Sequence, residues 1–218
     1  MHRLLLKNLL LSSLLLFIFI SCSPTHGYKL AGKEVVTSSH VRPIIDSDSS
    51  LLYKAKITFY NQYFSGLILL KQTDTAISHL VFVTELGMKM FDFQIQDNEL
   101  KLIYVFEPLN KPEVLNLLKN DLKLIFLQHL LNKEACFYKK KGGNTRIYKI
   151  YDGKLKNYYL VDPSEKKIKR TIVKKNLLIK EKVDYSYDNS LIINNIKLKH
   201  KGLIRLKIEL NVLTKNIQ

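Results

Sequence analysis

The 218-residue sequence has no tryptophan, only five prolines and eight glycines, and just two cysteines, Cys22 and Cys136. Two cysteines cannot make a disulfide framework, and Cys136, between Ala135 and Phe137, is expected as a small hydrophobe. Recognisable catalytic spacing is missing as well. His26, His40, His79, His129 and His200 are scattered, with no HExxH and no cysteine pair at metal-ligand spacing. Neither GxSxG nor a phosphate-cradling glycine loop occurs, and Lys139-Lys140-Lys141-Gly142-Gly143 reads as a solvated hairpin turn. These absences argue against a hydrolase, and no enzymatic activity, metal or cofactor is expected. Beyond residue 22 no apolar run is long enough to span a bilayer.

What is present begins with Arg3 and Lys7, followed by residues 9–20, apolar apart from Ser12 and Ser13. That length fits the apolar core of a signal peptide and falls short of the roughly 20 residues of a membrane span. The run ends in Phe19-Ile20-Ser21-Cys22-Ser23, which resembles the lipobox of bacterial lipoproteins, with Phe19 where leucine is usual. The resemblance implies that Cys22 takes a diacylglycerol on its thiol and becomes the first mature residue. Two or more acyl chains make a stable anchor. Ser23, rather than Asp, follows Cys22, which under the enteric sorting rule implies the outer membrane, and no acidic run of the kind that marks surface export follows Ser23, which implies its periplasmic face. The residues that follow Cys22 number 196 (218 minus 22), a chain of one-domain size.

Charge is uneven. Residues 23–132 carry 11 Lys/Arg and 11 Asp/Glu, whereas residues 133–218 carry 22 against 8, a net +14. Two explanations remain open: contact with a polyanion, which in an envelope means lipid headgroups rather than nucleic acid, or the solvated faces of strands in a Lys-, Asn- and Ile-rich chain.

Residues 23–50, rich in Ser, Thr, Gly and Pro, read as a tether, with a short helix or strand near residues 35–40. From residue 51 apolar and polar residues alternate. Strands are expected at 54–60, 64–70, 77–84, 88–96 and 100–106, and again at 137–140, 146–151, 157–161, 167–174, 178–187, 192–199 and 203–210. Between the two series Val114, Leu115, Leu118, Leu122, Ile125 and Leu130 fall at helical spacing, which predicts a helix over 112–131 with Asn110 as N-cap and Pro112 in its first turn. The expected fold is mainly β: one incomplete antiparallel barrel of about 11 strands over residues 51–218, closed by that helix.

Leader, lipobox, meander, helix and second meander, together with the strand–turn–strand Leu80-Val81-Phe82-Val83-Thr84-Glu85-Leu86-Gly87-Met88-Lys89-Met90-Phe91-Asp92-Phe93, resemble the LolA/LolB lipoprotein-localisation carriers, and best the LolB-like receptors. Glu85-Leu86-Gly87 stands where Pro-Leu-Gly is usual, and the proline before the penultimate strand is absent. With the Lys/Asn/Ile richness, this resembles a divergent, Bacteroidetes-like member. The resemblance implies a hydrophobic cavity that receives the acyl chains of lipoproteins from a periplasmic LolA-like carrier and releases them into the outer membrane, as a monomer. Its lining is expected from Phe59, Phe64, Leu67, Leu69, Phe82, Phe91, Phe93, Leu102, Tyr104, Leu118 and Leu122. Leu86, with Gly87 and Met88, is expected to insert into the membrane. Two other readings remain: the same fold binding lipopolysaccharide or phospholipid, and a structural lipoprotein with a filled core.

Overall fold

The computed structural model describes residues 23–44, 49–74, 77–97, 99–126, 129–189, 193–201 and 205–217, so the leader and Cys22 lie outside it. The first strand, β1, spans Tyr28–Val35. Strands β2 (Ser49–Phe59), β3 (Gln62–Asp74), β4 (Ile77–Thr84), β5 (Lys89–Gln96) and β6 (Glu99–Val105) form the first meander. After a 3-10 turn at Glu107–Leu109, helix α1 covers Pro112–Ile125. Strands β7 (Glu134–Lys140), β8 (Arg146–Asp152), β9 (Leu155–Asp162), β10 (Lys167–Lys175), β11 (Leu178–Tyr187), β12 (Ile193–His200) and β13 (Leu206–Ile217) complete the chain.

Period-two patterning explains which face turns inward. Leu206, Ile208 and Leu210 of β13 are buried, as are Leu51, Tyr53, Ala55 and Ile57 of β2, while Lys54 and Lys56 are exposed. These strands pair antiparallel, Ile208 with Ile57 and Leu210 with Ala55, and so join the two meanders. The result is one antiparallel sheet in the order β1-β7-β8-β9-β10-β11-β12-β13-β2-β3-β4-β5-β6. It is an open barrel, with β1 and β6 as its edges. At Gly66 on β3 a Cβ would lie 2.0 Å from the Val83 carbonyl oxygen, so only glycine fits the β3–β4 contact.

The thirteenth strand is β1, which lies inside the stretch expected as a tether. Its burial is slight, and it joins the sheet through its backbone, with Lys33 opposite Cys136 on β7. Behind it, Val36 and Val41 are fully buried.

Helix α1 links edge strand β6 to β7 at the other side, so it must cross the concave face. It is shorter than 112–131. The N-cap is Lys111, with no side-chain cap bond, because Asn110 instead closes the preceding 3-10 turn through its N–H to the Glu107 carbonyl. At the other end the Tyr185 hydroxyl approaches the carbonyl oxygens of Leu124 (3.1 Å) and Ile125 (2.9 Å), occupying helix-terminal acceptors from the sheet side. Leu130 is then fully buried as the chain returns to β7. Tyr53 and Phe126 pack with ring centroids 6.2 Å apart, tying helix to sheet.

Turns alternate between the two ends of an antiparallel sheet. The β2–β3, β4–β5, β8–β9, β10–β11 and β12–β13 connections share one end. Tyr28 pairs with Lys140, so Ser23 emerges at the opposite end, beside the β7–β8 turn.

Candidate functional site

Beneath the first half of α1 lies an apolar cleft with about 50 Å³ of free space. Ile57, Phe59, Phe64 and Leu206 form one wall, Phe82, Met90 and Phe91 another, and Leu109, Val114, Leu117 and Leu118 the roof. A water needs roughly 10–15 Å³, so the space suits a few atoms and is far too small for an acyl chain while α1 stays down. A second, more polar cavity of about 530 Å³ opens among Asn120, Lys123, His129, Leu131, Ile150 and Asn157.

Of the residues expected in a lining, Phe59, Phe64, Phe82, Phe91 and Leu118 meet in this cleft. Phe93 and Leu122 are buried in the packed core, and Leu102 packs against it half-buried. Leu67 and Leu69 fall on the outer face of β3, where Ile68 and Leu70 turn inward, and Leu69 is exposed. The four-residue run Leu67-Ile68-Leu69-Leu70 is apolar on both faces, so alternation alone does not say which pair faces in. Tyr104 is also exposed, with the Lys89 ammonium 5.5 Å from its ring centroid. Met90, Leu109, Val114, Leu117 and Leu206 join the site by packing, not by sequence spacing.

The β4–β5 turn stands at the cleft's end of the barrel. Leu86 is 94% exposed and Met88 44%. The turn is braced: the Gly87 N–H donates to the Thr84 carbonyl (2.9 Å), the Thr84 N–H to the Met88 carbonyl (2.9 Å) and the Met88 N–H to the Thr84 hydroxyl (3.1 Å). Gly87 has φ +81°, which glycine adopts without strain. Leu86 is thus held out into solvent by a rigid turn.

The second half of α1 rests on polar groups. Asp121, fully buried, lies 2.8 Å from His200 Nε2 on β12, and Glu181 faces the pair from β11. Three possible ligand atoms fall within 4.8 Å of one another, a carboxylate–carboxylate–imidazole set of the kind that holds divalent cations. Burial alone would lower the His200 pKa, but the hydrogen bond and charge of Asp121 outweigh it and raise the value. Burial, reinforced by the Asp121 charge, lifts Glu181 to about 7. This latch between helix and sheet spans 79 residues of sequence, and no local motif announces it.

No family model matches the chain, and no curated protein matches it. Among solved structures, a LolA superfamily protein from Nitrosomonas europaea superposes with a TM-score of 0.50 at 8% identity, over 83% of this chain and 90% of that one. The likeness is one of fold. A putative outer membrane lipoprotein-sorting protein domain from Vibrio parahaemolyticus aligns at TM-score 0.47 and 7% identity, over 79% and 86% of the two chains. In this LolA-like fold the cleft and the helix above it occupy the concave face of the open barrel.

Proposed function

We propose that this protein is a lipid-anchored envelope receptor that takes the acyl chains of lipoproteins from a soluble carrier and releases them into the outer membrane, without covalent chemistry. The observation that carries this reading is the pairing of an apolar cleft under helix α1 with Leu86, 94% exposed, at the same end of the barrel. Each buried methylene contributes roughly 0.8 kcal/mol. A cargo chain sliding under α1 would therefore recover the cost of displacing the helix's apolar face. The likeness in fold supports a carrier-type role, and Leu86 supplies a step that a soluble carrier does not need.

The test is Leu86→Glu in a liposome transfer assay with an acylated lipoprotein as cargo. Loss of insertion with unchanged thermal stability and unchanged acyl-chain binding is the expected result. Normal insertion by the variant would overturn the assigned role of Leu86. A purified domain that retains no lipid and binds no acyl probe would favour a structural lipoprotein.

A further inference from the structure

A second apolar tip stands at the same end of the barrel as Leu86. The β10–β11 connection is the tight turn Asn176-Leu177, with Asn176 at φ +56°, and it leaves Leu177 76% and Leu178 66% exposed. A turn that tight ordinarily carries polar side chains, and two adjacent exposed leucines gain nothing in water. Lys175 pairs with both Leu178 and Leu155, which fixes this hairpin at the end shared by the β8–β9 turn. Leu206 pairs with Phe59 and Phe59 with Gln62, which places the β2–β3 turn, with exposed Tyr60 and Tyr63, at that end too. Tyrosines at the edge of an apolar contact suit the headgroup layer of a bilayer.

One part of this end is cationic. Around the β8–β9, β10–β11 and β12–β13 connections stand Lys154, Lys156, Lys175, Lys180, Lys201 and Arg205. Against them are Asp152, which faces His129 at 3.8 Å, and Glu181, enclosed beneath α1. The apolar hairpin therefore sits in a cationic surround. That is the composition of a peripheral contact with anionic lipid, in which leucines enter the acyl boundary and lysines remain among headgroups.

We propose that Leu177 and Leu178 form a second membrane contact, acting with Leu86, and that the cations around them direct this end of the barrel to an anionic phospholipid surface. The contact deepens the receptor reading by naming the surface on which release occurs. It assigns a local role to part of the basic C-terminal half.

The chain has no tryptophan, so Leu177→Trp and Leu86→Trp each place a single fluorophore at one tip. The protein from Ser23 onward, which contains every described element, is mixed with vesicles of phosphatidylcholine alone or with 30% phosphatidylglycerol. The expected result is a blue shift and quenching by bromolipid at both positions on anionic vesicles, weakened at least tenfold by 0.5 M salt. Leu177→Asp/Leu178→Asp, with unchanged melting temperature, is expected to lower co-sedimentation with those vesicles at least tenfold. A shift at 86 without one at 177, equal binding by the Asp variant, or no vesicle binding by the parent would each overturn the proposal. Equal binding to neutral vesicles would overturn its electrostatic part. Cargo is absent from the assay, so vesicle binding without later lipoprotein transfer would count against the receptor reading alone.

Discussion

His200 Nε2 lies 2.8 Å from Asp121 Oδ1, joining the end of β12 to the middle of the helix that roofs the barrel. Asp121 is fully buried and its second oxygen has no hydrogen-bond partner among the described residues, so the pair concentrates charge where desolvation is costly. Such a contact gives the helix a defined closed position. It also makes the contact sensitive to protons.

The sign follows from the shifts at His200 and Glu181. Both pKa values are raised in the folded protein, so at these two sites the folded state binds more protons than the unfolded chain and their contribution to stability falls as pH rises, whereas His129, lowered by burial, works the other way. For Glu181 the loss runs from the ordinary carboxylate range to about 7; for His200 it begins near 6.5 and continues upward. The melting temperature is expected to fall between pH 5.5 and 8 on the order of 5 °C. Glu181→Gln should remove much of that slope. An unchanged slope in the variant, followed by circular dichroism, would show that Glu181 does not titrate in this window.

The cleft makes a different demand. Leu118→Trp places a larger side chain in about 50 Å³ of free space between α1 and the sheet. Overpacking of this kind costs about 1–3 kcal/mol, so some destabilisation is expected. The diagnostic result is a loss of acyl-probe binding larger than that caused by an equally destabilising substitution elsewhere, such as Tyr185→Phe. Equal losses would place lipid outside the cleft.

Tyr185→Phe tests how the helix end is held. The hydroxyl serves the carbonyls of Leu124 and Ile125 from inside the sheet. Removing it takes a donor from both carbonyls, of which that of Leu124 also faces the Phe126 N–H, at about 1–3 kcal/mol. Hydrogen exchange is expected to rise in the last turn of α1 more than in the central strands. Uniform loss of protection would mean that the helix end and the sheet open as one unit.

Strand β1 raises a question of reach. Ser23 leaves the sheet at the end opposite Leu86, so the chain leading to the proposed anchor and the Leu86 turn lie at different ends while β1 is paired. Released, residues 23–44 span up to about 73 Å at roughly 3.3 Å per residue, ample to reach around the barrel. Lys33 lies opposite Cys136, and Lys33→Cys therefore offers a disulfide across β1 and β7. In membrane-anchored protein, oxidation is expected to block lipoprotein insertion and reduction to restore it. Full activity in the oxidised form would show that β1 stays in place during the work.

Gly66→Ala should fail for a local reason. Its Cβ would meet the Val83 carbonyl oxygen at 2.0 Å, a backbone contact that no rotamer change relieves. Destabilisation above about 3 kcal/mol is expected by urea titration, with β3 and β4 losing protection first. A near-neutral Ala variant would show that the two strands can separate locally.

The sequence by itself determined the strand series, because period two is written into segments such as Ile204-Arg205-Leu206-Lys207-Ile208, and it determined the helix that interrupts them, because Val114, Leu118, Leu122 and Ile125 keep period 3.6. Leu86 and Gly87 were legible as an unusual turn for the same local reason. What lay between elements was not. β1 has too little apolar character to declare itself, and it becomes a strand only because β7 offers it an unpaired edge. Leu67 and Leu69 look as suitable for a lining as Ile68 and Leu70, and only pairing with β2 and β4 chose the inward face. The Asp121–His200 latch, the shortened helix and the apolar turns sharing one end depend on which strands become neighbours, a choice made by long-range packing that no window of sequence contains.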